Sequence, residues 1–160
     1  MPVAKIIILN WNGADHLRRF LPSVVPAGVE VIVADNGSTD DSLAALAAGF
    51  PSVTVLRMDR NYGFAGGYNR ALEYIEADYY LLLNSDVETP EGWLAPILDC
   101  LDRNPDVAVA APKLISCADR TEGLPGALST SWAIPSAGGA SCAAWRRTGA
   151  STTTSATFSG

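Results

Sequence analysis

Apolar and polar positions alternate in blocks along the chain. Runs of β-branched and leucine-rich residues, each of strand length, are followed by segments whose apolar residues recur at helical spacing. The strand-like runs cover residues 5–10, 29–35, 53–58, 79–84 and 107–111, and the helical segments cover residues 14–21, 40–48, the second half of 61–77, and 90–103. Uninterrupted apolar strands joined by helices are typical of a parallel sheet covered on both faces. The pattern therefore predicts an α/β fold of three layers, with a doubly wound and mostly parallel sheet in the middle.

Turn and capping residues mark the ends of the predicted helices. Pro22 is expected to end the first helix, because proline removes a backbone hydrogen bond. Ser38 and Thr39 are candidate caps of the second helix, and Gly49 is expected to close it in a left-handed conformation. Thr89 is expected to cap the fourth helix.

A polar group follows each of the first four predicted strands. A single carboxylate after a strand is usually a cap or a solvated loop residue, but four strands that end alike weaken that interpretation. The carboxyl ends of parallel strands meet at one edge of a sheet, and ligands bind in the crevice beyond that edge. We therefore expect a ligand site formed by these groups. They are Asn10-Trp11-Asn12, Asp35-Asn36-Gly37, Asp59-Arg60-Asn61 and Asn84-Ser85-Asp86.

Composition and charge limit the classes of partner. The formal net charge of −6 leaves no basic face for a nucleic-acid backbone, so we expect no nucleic-acid partner. The three cysteines show no CxxC spacing, which argues against a zinc site. No apolar run is long enough for a transmembrane segment, and the first residues do not resemble a leader peptide. We expect a cytoplasmic protein of one domain.

Glycines lie at the start of the third predicted helix. Gly63, Gly66 and Gly67 there allow a backbone or a phosphate to approach closely. The spacing is neither GxGxxG nor that of a P-loop, so the glycines alone are a weak indication of phosphate binding.

Four motifs, IIILNWNG, VADNGSTDDS, NYGFAGGYNRAL and LLLNSDVE, resemble in order and spacing the amino-terminal half of the inverting glycosyltransferases of family 2. The resemblance covers residues 3–115 and implies the GT-A fold, the nucleotide-diphospho-sugar transferase type of α/β sheet, incomplete at its carboxyl terminus. It divides the chain into a nucleotide-sugar-binding half, residues 1–116, and a remaining segment, residues 117–160.

The resemblance also assigns roles to residues. Asn10, Trp11 and Asn12 would lie around the base and ribose of the nucleotide. Asp35 would accept a hydrogen bond from a pyrimidine, although its alternative role is to cap the turn through Asn36 and Gly37. The other implied nucleotide-binding residues are Asn61, Gly63, Gly66, Asn69, Asn84 and Ser85. Asp86 would be the ligand of Mg²⁺ or Mn²⁺, in a DxD-like motif whose first position is Asn84.

The activity implied by the resemblance is transfer of a sugar from a nucleotide diphosphate to a hydroxyl of a glycan or lipid-linked acceptor, as in polysaccharide biosynthesis. A divalent cation would neutralise the departing diphosphate, and a base would deprotonate the acceptor. The acceptor chemistry leaves room for peripheral membrane association. The sequence does not identify the catalytic base, which such enzymes place downstream of the metal motif.

The composition changes abruptly near the end of the chain. No Asp or Glu follows Glu122, and 27 of the last 38 residues are Ala, Gly, Ser or Thr. We expect residues 117–160 to form a poorly ordered, low-complexity tail. An out-of-frame origin is favoured over a natural low-complexity end, because shifted reading frames of compatible codons encode strings that look like the family's continuation. On this interpretation the chain is truncated and inactive.

Two other classes of function compete with this interpretation. A Rossmann-like dinucleotide-binding module would explain the alternation of strands and helices, but it requires GxGxxG after the first strand. A noncatalytic interaction domain would explain the missing base, but it gives no reason for polar groups at four strand ends.

Overall fold

The computed structural model of the protein describes residues 3–112 and the strand at residues 142–146. In chain order, the elements are β1 Ala4–Asn10, α1 Ala14–Val24, a 3-10 turn Val25–Ala27, β2 Glu30–Asp35, α2 Ser42–Gly49, β3 Thr54–Arg57, α3 Gly63–Leu72, β4 Tyr79–Asn84, α4 Leu94–Arg103, β5 Val109–Ala110 and β6 Cys142–Arg146. The α/β alternation predicted from the sequence is confirmed.

The strands form one sheet in the order β3-β2-β1-β4-β6-β5. The first four strands in this order are parallel, whereas β6 is antiparallel to both β4 and β5. The chain leaves β1 toward β2 and β3 and then returns to place β4 on the other side of β1. This reversal between β1 and β4 is the switch point at which ligands bind in such sheets.

Two apolar layers cover the sheet, because successive side chains of a strand point to opposite faces. Ile6 and Ile8 of β1 pack in the layer that contains α1, α2 and α4 residues. Ile7 packs on the other face with α3 residues, including Tyr68 and Ala71. The helices on both faces confirm the doubly wound, three-layer arrangement.

Helix α1 continues through Pro22, which the sequence analysis expected to end it. Proline at this position removes the N–H that would bond to the carbonyl of Arg18, one turn earlier. Both residues are exposed. The single lost bond lies in the last turn, where the helix is about to end at Val24, so the predicted end at residue 21 was wrong by three residues.

Three other predicted helix ends also differ from the structure. Helix α2 begins at Ser42 with Asp41 at its cap position, so neither Ser38 nor Thr39 caps it. Gly49 is the last residue of α2 and does not have a positive φ, and the cap position is Phe50. Thr89 does not cap α4, which begins at Leu94. Its hydroxyl instead donates to the carbonyl of Ser23 at 2.9 Å, so the side chain ties the segment after β4 to the end of α1.

Strand β6 lies in the segment 117–160, to which the sequence analysis assigned no element. It pairs with β4 from Tyr79 opposite Arg146 to Leu83 opposite Cys142. An unpaired edge at β4 would expose a row of backbone donors and acceptors, and even a run without strong periodicity can satisfy them. Residues 113–141 and 147–160, where the rest of the predicted tail falls, lie outside the described residues. No helix in the described part of the chain is long and apolar enough to cross a membrane.

Candidate functional site

The polar residues predicted to form a site meet at one edge of the sheet. Asn10 is paired with Asp35 at the ends of β1 and β2. Asn84, at the end of β4, is paired with Leu9, one residue before Asn10. Asn10, Asp35 and Asn84 are therefore the last residues of three neighbouring strands that lie on both sides of the switch point, as the sequence predicted.

Asp35 is 1% exposed, and both of its carboxylate oxygens accept hydrogen bonds from the chain. Oδ1 accepts from Asn10 Nδ2 at 3.2 Å, and Oδ2 accepts from the Ser38 N–H at 3.2 Å. The second bond closes the turn through Asn36 and Gly37, which is the capping role considered in the sequence analysis. Each oxygen keeps a further lone pair, so the carboxylate could still accept a bond from a ligand.

Asn10 is fully buried and has one polar atom without a partner. Its Nδ2 donates to Asp35 and to Ser38 Oγ at 3.1 Å, whereas Oδ1 accepts no hydrogen bond from the described residues. A Cβ placed on Gly13 would lie 2.6 Å from Oδ1 and 3.7 Å from Ser85 Oγ. Oδ1 thus lies against Gly13, in the loop after β1 and close to Ser85 in the loop after β4. An unpaired buried acceptor costs about 1–3 kcal/mol.

Asn12 joins the loop after β1 to the loop after β2. Its backbone is left-handed, with φ 50°, and its Oδ1 accepts from the N–H groups of Thr39 at 2.7 Å and Asp40 at 3.3 Å. Its own N–H donates to Ser38 Oγ at 2.9 Å. The preceding Trp11 is 57% exposed at the rim of the crevice. Asn12 therefore fixes the loop that carries Trp11.

Asp40 connects the starts of two helices. Oδ2 accepts from the N–H of Ala14 in α1, and Oδ1 accepts from the N–H of Ser42 in α2, both at 3.0 Å. Desolvation favours the neutral carboxyl, but hydrogen bonds from Ser42 and from the Ala14 amide outweigh it, so the pKa of Asp40 is lowered. Its carboxylate caps α1 from another loop, since Gly13 offers no capping side chain.

The loop after β3 also uses its polar groups internally. Asn61 Oδ1 accepts from Asn36 Nδ2 at 3.0 Å and from the Gly63 N–H at 2.7 Å. Gly63 has a φ of +73°, and helix α3 begins there. Asn69 is exposed on α3, and Gly66 packs near Tyr62. Asn61 and Gly63 therefore lie at the loop after β3, whereas Asn69 lies about two turns further along α3.

The group Asn84-Ser85-Asp86 differs from the other three loops. All three residues are half-buried, and their side chains make no hydrogen bond or ion pair that involves a described residue. Within the described residues there is no group of three or more His, Cys, Asp or Glu side chains that could hold a metal. A divalent cation bound with phosphates needs only one or two protein carboxylates. Asp86, with Asn84 beside it, fits that requirement.

The contacts made by Asn36, Ser38, Asp40 and Gly67 could not be predicted from the sequence. Asn36 and Ser38 lie inside the VADNGSTDDS motif, but the motif does not show which atoms their side chains reach. Asp40 was assigned to the start of its own helix, whereas it also caps α1. Gly67 packs against Leu9 and Asn36, a contact between distant parts of the sequence.

The chain matches the family model "Glycosyl transferase family 2" over residues 5–155, and it belongs to that family. The matched range extends into the segment predicted to be a tail. This identifies the protein as a family 2 glycosyltransferase by descent, in agreement with the resemblance of its four motifs.

Two relatives come from Mycobacterium tuberculosis. The chain is 28% identical over 124 residues to an N-acetylglucosaminyl-diphospho-decaprenol L-rhamnosyltransferase, covering 69% of the chain and 40% of the relative. It is 33% identical over 116 residues to a pre-mycofactocin glycosyltransferase, covering 69% of the chain and 23% of the relative. The chain thus spans less than half the length of either relative.

Solved structures share the fold. A mannosyltransferase from Pyrobaculum calidifontis, in complex with GDP-Man and Mn²⁺, superposes with a TM-score of 0.61 at 23% identity, covering 72% of this chain and 36% of that one. S. aureus TarS in complex with UDP-GlcNAc gives a TM-score of 0.60 at 19% identity, covering 81% of this chain and 37% of that one. The predicted GT-A type of fold is confirmed.

Proposed function

We propose that this chain forms the donor-binding part of a glycosyltransferase that uses a nucleotide diphosphate sugar. The observation that supports this most strongly is the meeting of Asn10, Asp35 and the Asn84-Ser85-Asp86 group at the switch point of the sheet. One side of this crevice is preorganised by internal hydrogen bonds, and the other side has polar side chains available for a ligand.

The nucleoside is proposed to bind on the β1–β2 side of the crevice. Asn10 Nδ2 holds the carboxylate of Asp35, which can accept from the N–H of a pyrimidine. The exposed ring of Trp11 offers an apolar surface for the base or ribose. Asn12, Asn61, Gly63 and Gly66 contribute mainly by shaping the loops, while Asn69 stays a prediction.

The diphosphate is proposed to bind on the β4 side together with Mg²⁺ or Mn²⁺. Asp86 would hold the cation, with Asn84 and Ser85 as neighbouring oxygen or hydroxyl groups. The bound cation would supply positive charge against the departing diphosphate. The presence of Mn²⁺ with GDP-Man in the Pyrobaculum mannosyltransferase supports the use of a metal by this type of fold.

The acceptor is proposed to be a hydroxyl of a glycan or a lipid-linked saccharide. The name of the mycobacterial rhamnosyltransferase, whose acceptor carries a diphospho-decaprenol, supports the lipid-linked class. Such an acceptor would bring a cytoplasmic enzyme to a membrane surface without a spanning helix.

The chain of 160 residues is proposed to bind the donor without transferring the sugar. Asp35 already serves the turn after β2, Asp40 serves two helix starts, Asp86 is the predicted metal ligand, and no Asp or Glu follows Glu122. Glycosyl transfer measured with the purified chain would contradict this part of the proposal. Sequencing of the downstream DNA would show whether a shifted frame continues the family's pattern.

Binding of the donor is tested by calorimetry with UDP, dTDP, GDP and ADP in the presence of Mn²⁺. Asn10→Leu keeps the side-chain size and removes the polar atoms, and we expect it to weaken binding of the preferred nucleotide by about tenfold or more. Tyr79→Phe, which removes a hydroxyl bonded to Asp102 at the other end of β4, is the control. No binding of any diphosphate by the folded wild-type chain would contradict the proposed function.

A further inference from the structure

We propose that Asn36 is a positioning residue for donor binding, which holds the start of α3 against the carboxyl ends of β1 and β2. This inference rests on the proposed function. Asn36 is not proposed to contact the nucleotide, and its effect would pass through the loop at residues 61–63 and through Asp35, its neighbour in the chain.

The side chain of Asn36 is fully engaged with that loop. It is 2% exposed, and Nδ2 donates to Asn61 Oδ1 and to the Gly63 carbonyl, both at 3.0 Å. Its Oδ1 accepts from the Tyr62 N–H at 2.9 Å. The three partners fix the orientation of the amide, because a flipped amide would place NH₂ against an N–H and oxygen against two oxygens. Asn36 therefore has no donor left for a nucleotide.

Two glycines permit this close approach. Gly37 has a φ of +74°, and a Cβ placed there would lie 2.6 Å from the carbonyl carbon of Arg60. A Cβ on Gly67 of α3 would lie 3.0 Å from Asn36 Nδ2 and 2.7 Å from Leu9 Cδ1. The first turns of α3 are thus seated directly on Asn36 and on the end of β1.

The backbone around Asn36 continues the connection into the crevice. Its N–H donates to the carbonyl of Asn10 at 2.7 Å, and the carbonyl of Asp35 accepts from the N–H of Met58 at 2.9 Å. The loops after β1, β2 and β3 therefore meet at Asn36. A shift of its side chain would change where α3 begins relative to the groups that face the nucleoside.

The test compares Asn36→Asp with the wild-type chain. Asn36→Asp keeps the size of the side chain and the oxygen that accepts from Tyr62. It replaces the NH₂ group, which makes both donated bonds, with an oxygen that faces Asn61 Oδ1 and the Gly63 carbonyl. Repulsion between these oxygens should push the loop at residues 61–63 away from residue 36, together with the Tyr62 N–H. We therefore expect loss of amide-exchange protection at Tyr62 and weaker binding of the preferred nucleotide diphosphate with Mn²⁺ by about tenfold or more. Lowering the pH should partly restore both properties, because a protonated carboxyl regains one donor.

Tyr80→Phe is the matched control. It removes another buried polar group, the hydroxyl of Tyr80, which donates to the Ile75 carbonyl at 3.0 Å. This hydroxyl lies at the end of β4 that is opposite the crevice. We expect it to lower Tm without changing nucleotide affinity. Asn61→Ala removes one of the three contacts of Asn36 by a change at an exposed residue, and it should give a smaller loss of nucleotide affinity. This variant replaces Asn36→Asp in the test if Asn36→Asp does not fold.

The outcomes separate this inference from the proposed function. Nucleotide affinity of Asn36→Asp within twofold of the wild-type value, or an equal loss in Tyr80→Phe, would overturn the positioning role. Absence of nucleotide binding by the folded wild-type chain would overturn the proposed function itself, while exchange at Tyr62 would still show whether Asn36 holds the loop.

Discussion

The carboxylate of Asp40, in the loop after β2, accepts a hydrogen bond from the N–H of Ala14, the first residue of α1, at 3.0 Å. Arg18 of the same helix forms an ion pair with the adjacent Asp41. A helix that follows β1 is therefore capped and held by residues that follow β2. This contact fixes the position of the loop that carries Trp11 relative to the loop that follows Asp35.

Asp40→Ala should destabilise the fold in a pH-dependent way. The lost cap should cost about 1 kcal/mol near neutral pH. The pKa of Asp40 is lowered in the folded chain from its ordinary value of 3.8, so the stabilisation is fully present above pH 3.8 and is lost as the pH falls through the folded value. Urea unfolding of both chains between pH 7 and pH 2.5 measures this. A difference that grows as the pH falls would contradict the assignment.

Gly67→Ala should lower the stability of the fold, whereas Gly49→Ala should not. Both glycines are in helices and lack a positive φ, and alanine favours a helix over glycine by about 1 kcal/mol. A Cβ on Gly67 would meet Leu9 Cδ1 at 2.7 Å, whereas a Cβ on Gly49 would meet nothing within 4 Å. Thermal unfolding should show a lower Tm for Gly67→Ala and an unchanged or higher Tm for Gly49→Ala. Equal Tm values would show that α3 adjusts to the methyl group.

The course of the parallel strands could be predicted from the sequence because their apolar runs are nearly continuous. Strand β4 begins at Tyr79 and ends at Asn84, where the apolar run stops. Helix ends were predicted less well, since the single hydrogen bond lost at Pro22 does not end α1, and Thr89 follows a tertiary contact and not its local preference. Strand β6 was not predicted, because its position depends on the free edge of β4.

The location of the site could be predicted, but the use of individual side chains could not. Parallel strands bring their carboxyl ends together whatever the loops do, so Asn10, Asp35 and Asn84 were expected to meet. Whether an Asn side chain faces a ligand or a neighbouring loop depends on contacts between residues far apart in sequence. Asn36 and Asn61 illustrate this, since they are 25 residues apart and bond to each other.

Asp35 should give the site a preference for pyrimidine nucleotides. Each carboxylate oxygen of Asp35 has a lone pair that no described residue uses, and it can accept from the ring N–H of uridine or thymidine. Adenine instead presents an acceptor at the corresponding ring nitrogen. Calorimetry should show UDP and dTDP binding more tightly than ADP. Because Asp35 also closes a buried turn, Asp35→Asn is preferable to Asp35→Ala, and its folding should be checked by circular dichroism. ADP binding as tightly as UDP, or unchanged pyrimidine binding in a folded Asp35→Asn chain, would leave Asp35 with the turn-capping role alone.

Joint binding of a metal and a nucleotide diphosphate through Asp86 is the central claim, and calorimetric titration of each ligand in the absence and presence of the other tests it most directly. Linkage requires that Mn²⁺ and the diphosphate increase each other's affinity by the same factor. We expect this enhancement in the wild-type chain and in the control Asp99→Asn, whose substitution lies in α4, and we expect its loss in Asp86→Asn. Equal enhancement in Asp86→Asn would contradict the claim and place the metal elsewhere.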